Sequence, residues 1–124
     1  MNFNLSQIIV ILLVIVLIIF LYQYAMDSPY RVSSEEAKQI IKKGALVLDV
    51  RTDFERSTLG YYPESVHIPS SDLEKIMPFE YPNKNINIIA YCNSGQRARM
   101  ATEKLHELGY TNAAYIASTY GSLL

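Results

Sequence analysis

Ile86-Asn87-Ile88-Ile89-Ala90-Tyr91-Cys92-Asn93-Ser94-Gly95-Gln96-Arg97-Ala98 is the stretch around which the chain is organised. An apolar run, Ile86 to Tyr91, stops at the only cysteine, and a helical pattern begins directly after it. A buried strand that feeds a short polar loop and then a helix aims backbone N–H groups and a helix N-terminus at one point, a ready anion site. Arg97 and the positive end of the helix dipole favour thiolate over thiol there, and thiolate is the reactive form of cysteine. Gly95 and Asn93 suit a tight curl. A lone free cysteine, taken by itself, reads as a small buried apolar residue at a strand end. The arginine five positions on, the intervening glycine and the strand-loop-helix context turn the reading toward a reactive-thiol loop.

Working outward, Ala45-Leu46-Val47-Leu48-Asp49-Val50 is a nearly continuous apolar run, as expected of a parallel strand covered on both faces. Its polar end, Asp49 with Arg51, falls at the strand's C-terminal edge, where open α/β sheets place their ligands. The two residues are expected to support the site, and they also read as a structural ion pair. Before this strand, Ser33-Ser34-Glu35-Glu36 starts a helix predicted to run to about Lys43, with Ala37, Ile40 and Ile41 on one face and Gly44 as its stop. Arg31-Val32 reads as a brief strand. Thr52 to Arg56 reads as a short helical turn, Gly60-Tyr61-Tyr62-Pro63 as a loop, and Val66 to Pro69 as a short strand. Ser70-Ser71-Asp72 opens a helix through Leu73, Ile76 and Met77 that Pro78 is expected to stop. Glu80 to Asn85 is a surface connection. Ala98, Ala101, Leu105 and Leu108 form a helical stripe closed by Gly109, and Ala113 to Ile116 is the last strand. Strands alternating with helices define an α/β domain with a mainly parallel, five-stranded sheet, in which the Cys92 loop and the Asp49/Arg51 end share one edge.

The first quarter of the chain is different in kind. Of 124 residues, those from Leu5 to Met26 include no charged side chain, and Ile8 to Leu21 is unbroken Ile, Val, Leu and Phe. As a helix this stretch is long enough to cross ~30 Å of hydrocarbon. Tyr22 and Tyr24 sit where interfacial aromatics are expected. A cleaved secretory signal is the competing reading, but no Lys or Arg precedes the apolar run and no A-x-A pattern follows it. The expected organisation is therefore a single-pass anchor over residues 1–27 and a domain over 28–124, joined through the Asp27-Ser28-Pro29-Tyr30 linker. Arg31, Lys38, Lys42 and Lys43 follow the apolar segment, and none precedes it, which points to a cytoplasmic domain. Every Lys, Arg, Asp and Glu lies from Asp27 onward, and their sum of −1 implies no nucleic-acid partner and no polybasic membrane surface. A single cysteine forbids an internal disulfide.

The domain resembles the rhodanese-homology family of sulfurtransferases from about Val32 to Ile116. Leu48-Asp49-Val50-Arg51 followed by Phe54-Glu55 is similar to the family's D-V-R…E-[FY] segment, and Gly60…Pro63…Val66-His67-Ile68-Pro69 to its G-H-I-P-G-A-x-x-I-P segment. Tyr91 to Ala98 resembles its C-x-x-G-x-R loop, and Leu108-Gly109-Tyr110-Thr111-Asn112 with Tyr115 resembles its L-G-[FY]-x-x-V-x-x-L ending. The match is specific because the four segments come in the right order and spacing. Tyr61 stands where the family has histidine, Glu64 where it has glycine, and Thr119-Tyr120 where it has Gly-Gly. The family's final helix and tryptophan, which help to close the domain over its core, are missing from this sequence.

The resemblance implies a two-step transfer in which Cys92 takes a sulfane sulfur from a thiosulfate-like donor, holds it as a persulfide and yields it to a thiol or cyanide. Backbone N–H groups of Asn93, Ser94, Gly95 and Gln96, with Arg97, would stabilise the anions that form. No metal or organic cofactor is implied, and no Cys/His cluster is available to bind a metal. The implied partners are a small sulfur-containing substrate or acceptor thiol and, through residues 5–26, a membrane. Arg97 otherwise reads as a solvated helix-start residue, and Arg99 as a solvated face residue or a lining of the entrance. His67 lies in a strand and His106 on the polar side of a helix, neither placed as a base for Cys92. Two other readings stay open. One is a non-catalytic binding or scaffold module at a membrane. The other is a cysteine phosphatase, whose related loop has a C-x5-R spacing where this chain has four intervening residues.

Overall fold

The structure, a computed structural model, describes residues 2–26 and 28–124. Met1 and Asp27, which bound the expected anchor segment, lie outside the described residues. Helix α1 (Leu5–Met26) coincides with the uncharged stretch and is exposed along the length of its apolar run. By length and composition it is able to cross a membrane.

The domain follows in the order α2 (Ser34–Lys42), β1 (Leu46–Asp49), α3 (Asp53–Leu59), β2 (Val66–His67), a 3-10 turn (Ser70–Asp72), α4 (Leu73–Glu80), β3 (Ile88–Tyr91), α5 (Gln96–Glu107), β4 (Ala113–Tyr115) and a second 3-10 turn (Tyr120–Leu123). The sheet order is β2-β1-β3-β4, and every pairing is parallel. Side chains alternate between its two faces, as the pleat requires. Leu48, Ile88 and Ala90 join the layer that includes Leu73, Met77, Ala101 and Leu105 of α4 and α5. Val47, Ile89 and Tyr91 join Ala37 of α2 and Leu123 of the final turn. Ile88 and Ile89 are both fully buried, and each contributes roughly 1.5–3 kcal/mol by leaving water.

The sheet has four strands among the described residues, not five. Arg31-Val32, expected as a strand, forms a single bridge to Tyr115, with Tyr115 N–H donating to the Tyr30 carbonyl at 3.0 Å and Val32 N–H to the Tyr115 carbonyl at 2.9 Å. The segment passes the sheet edge for only this one exchange, because Ser33 directly afterwards caps α2 through its side chain. Pro78 does not stop its helix at once. It lies inside α4, which continues to Glu80. A proline in the last turn forfeits one backbone bond, and its φ is still helical. Closure over the α2 face falls to the turn at Tyr120–Leu123, where Leu123 is buried. Hydroxyls of Ser34, Ser118 and Ser122 tie that turn to the start of α2, two of the contacts being 2.8 Å long.

Candidate active site

Both central strands end at the same edge. Asp49 of β1 is in register with Tyr91 of β3, so the residues that follow each strand, Arg51 and Cys92 with Asn93, meet there. Cys92 is fully buried, and its sulfur accepts from the N–H of Gly95 at 3.0 Å and of Ala98 at 3.4 Å. The curl depends on Gly95, whose φ of 99° lies in the left-handed region. The N–H groups of Gln96 and Arg97, in the first turn of α5, have no backbone acceptor among the described residues. They are the orphan donors of a helix start. The side chains of Ser94 and Gln96 are exposed, so these two residues meet the loop through their backbone.

Asn93 links two ion pairs. Its Oδ1 accepts from Arg51 Nη1 at 3.2 Å, and its Nδ2 donates to Glu55 Oε2 at 2.5 Å. Glu55 takes Arg97 in a two-pronged contact, Nη1 to Oε1 at 2.5 Å and Nη2 to Oε2 at 2.7 Å. The same carboxylate closes the capping box of α3, accepting from the N–H and the hydroxyl of Thr52. Hydrogen bonds from Arg97, outweighing the cost of burial, push the Glu55 pKa down to about 2, and Glu55 in turn raises that of Arg97.

Beneath the loop, Arg51 donates Nε to Asp49 Oδ1 and Nη2 to Oδ2, each at 2.9 Å, and Nη2 also to the Gly60 carbonyl at 2.7 Å. Tyr91 Oη donates to Asp49 Oδ2 at 3.0 Å, and Arg56 Nη1 does so at 3.1 Å. Burial alone would raise the Asp49 pKa, but the hydrogen bonds and charge of Arg51 more than reverse this and hold it below its ordinary value. Asp49 and Arg51 are both closed to solvent, so the pair braces the loop from below through Asn93.

The loop residues Cys92 to Arg97 and the Asp49/Arg51 pair thus lie at one edge, as the strand pattern implied. Arg97 does not hang free over the sulfur but is held by Glu55. Arg99 pairs with Glu103 at 3.0 Å, one turn along the helix. His67 bonds through Nε2 to the Arg51 carbonyl at 2.7 Å, with Nδ1 at 3.2 Å from Asp53. His106 stacks on Tyr30. Glu55 and Arg56 are site residues to which the sequence reading gave no role, although Glu55 stood in the segment similar to the family's D-V-R…E-[FY] pattern. The Thr52-x-x-Glu55 spacing fits the capping box that the structure shows, which accounts for Glu55 as a helix-start residue but carries no sign of Arg97.

Residues 33–119 match the rhodanese-like domain family, so the chain belongs to that family. It is 29% identical over 102 residues to a human thiosulfate:glutathione sulfurtransferase, covering 72% of this chain and 88% of the relative. With the thiosulfate sulfurtransferase PspE of Escherichia coli K12 it shares 31% identity over 65 residues, 52% of this chain and 62% of that one. A solved human single-domain sulfurtransferase superimposes with a TM-score of 0.66 at 28% identity, covering 77% of this chain and 95% of the other. With its one cysteine buried in the family's loop, the chain is an enzyme of rhodanese type, and its chemistry is sulfur transfer.

Proposed function

We propose that Cys92 carries the sulfur. Its thiolate attacks the sulfane sulfur of a thiosulfate-like donor, the donor's S–S bond breaks, and sulfite leaves with the bonding electron pair. An acceptor thiolate or cyanide then attacks the outer sulfur of the Cys92 persulfide and releases the Cys92 thiolate. The observation that carries this reading is the pair of N–H groups, Gly95 and Ala98, already directed at Sγ. Preorganised donors at the point where charge develops stabilise an anionic persulfide without reorganisation. Arg97 acts from the same loop, its guanidinium oriented by Glu55.

We also propose that α1 anchors the enzyme in a membrane, with the domain on the cytoplasmic side. Supporting this are the uncharged Leu5 to Ala25 span and the basic residues Arg31, Lys38, Lys42 and Lys43 beyond it.

Intact-mass analysis after exposure to thiosulfate tests the central step. The expected result is a gain of one sulfur atom on the protein, lost on adding cyanide and absent in Cys92→Ser. Persistent sulfur transfer by Cys92→Ser would rule the mechanism out, as there is no second cysteine to substitute.

A further inference from the structure

Cys92 is fully buried, so a reactant reaches its sulfur only when part of the surroundings moves. Most of those surroundings are fixed. β3 and α5 contribute core side chains, among them Ile88, Ile89, Ala98 and Leu105, and such segments open only at a cost approaching that of unfolding the domain. On one side the loop also packs main chain to main chain, Gly95 against Ala117.

Helix α3 is built differently. None of the residues Asp53–Leu59 is buried, and its large apolar side chains, Phe54 and Leu59, are mostly exposed. Polar side chains attach it to the domain instead. Arg56 bonds to Asp49 and Ser65 at the sheet edge, and Asp53 lies 3.2 Å from His67. Glu55 reaches the cysteine loop and holds it at both ends, at Asn93 directly after Cys92 and at Arg97. Gly60, which ends α3, has a φ of 77° and a carbonyl held by Arg51, so the helix can turn about a residue whose backbone rotates cheaply. An element that buries no apolar side chain belongs to the low-stability end of a fold, from which lids are drawn.

Building on the sulfur-transfer reading above, we propose that α3 is a lid over the Cys92 loop and that Glu55 is its latch. When Glu55 releases Asn93 and Arg97, α3 swings about Gly60 while Arg56 keeps it tethered to Asp49 and Ser65. The sulfur is open to reactants only in that state. Glu55 thereby sets how often the thiol is available, a role separate from orienting Arg97.

The test is alkylation of Cys92 by iodoacetamide in the full chain in detergent micelles, followed by intact mass. Rates are compared at the high-pH plateau, where the thiol is fully ionised, so that a change in its ionisation does not count. Glu55→Gln, which removes the charge of the latch, is expected to raise the plateau rate about tenfold. Ser57→Pro breaks the helix at an exposed position whose hydroxyl donates to the Phe54 carbonyl within α3, and is expected to raise the rate by at least about tenfold. Amide exchange over Ile88–Tyr91 should stay slow in both variants, since the sheet is untouched. If Glu55→Gln fails to fold, Glu55→Asp, whose carboxylate is drawn back by one carbon, takes its place with the same expected direction. A rise in only one of the two variants, or in neither, overturns the inference, as does a rise accompanied by faster exchange in β3. Sulfur transfer from thiosulfate is measured on the same samples. Its absence, with labelling as expected, overturns the sulfur-transfer reading and leaves the lid standing.

Discussion

A Cβ placed on Gly95 would lie 2.8 Å from the Cα of Ala117, so the cysteine loop and the segment after β4 pack backbone against backbone. Gly95→Ala therefore meets two obstacles, a left-handed φ and a neighbour that is main chain and cannot step aside. The strained backbone alone costs about 1–3 kcal/mol. Urea denaturation of Gly95→Ala and of the double variant with Ala117→Gly checks this. No rescue is expected in the double variant, because the offending Cα remains, and recovery of stability would contradict the packing argument.

Asp49 and Arg51 form a salt bridge closed to solvent. Removing one member leaves the other as an uncompensated buried charge, at a cost of roughly 3–5 kcal/mol. Asp49→Ala should lose stability on that scale and should also loosen the Cys92 loop, since Arg51 holds Asn93. Chemical denaturation measures the first effect, and amide exchange at Gly95 and Ala98 the second. An unchanged exchange rate would mean that Asn93 is held by Glu55 alone.

The acid limb of stability follows from two depressed carboxylates. The Glu55 pKa is about 2 in the folded chain against an ordinary value of 4.5, and that of Asp49 is also lowered. Each folded carboxylate binds its proton less readily than the unfolded one, so its contribution is complete above the unfolded value. That contribution is lost as pH falls through the folded one. For Glu55 the window is about pH 4.5 to 2. Circular dichroism across this range should show stability falling steeply in the unmodified domain and less steeply in Glu55→Gln. Equal slopes would deny Glu55 this role.

Arg97→Lys tests geometry against charge. Lysine keeps the positive charge but cannot offer the planar fork that Glu55 accepts with both oxygens. Transfer should fall by about 10²-fold in Arg97→Ala, the scale for losing one preorganised donor, with only partial recovery in Arg97→Lys. Full activity in Arg97→Lys would reduce Arg97 to a point charge.

Topology is tested by labelling. In a Cys92→Ser background, Ser122→Cys should react with a membrane-impermeant thiol reagent only after the cells are lysed. Equal labelling in sealed cells would reverse the proposed orientation.

Local order was legible because it is written at short range. Ser33 caps α2 and Thr52 caps α3 through residues three positions away, and Gly44, Gly60, Gly95 and Gly109 take positive φ where the elements turn. The apolar runs at Leu46 to Asp49 and Ile88 to Tyr91 could be buried on both faces only in the middle of a parallel sheet, and they stand there. Their shared edge followed from that, and with it the meeting of Asp49 with the cysteine loop. Other features depended on what lay across the fold. Whether Arg31-Val32 became a strand rested on how far it ran along β4, and it paired there only at Tyr115. The partner of Arg97 is 42 residues away on another helix, and no periodicity or spacing joins the two. Only the register of β1 against β3 brings the start of α3 over the start of α5, which converts a helix-capping glutamate into the counter-ion of the loop arginine.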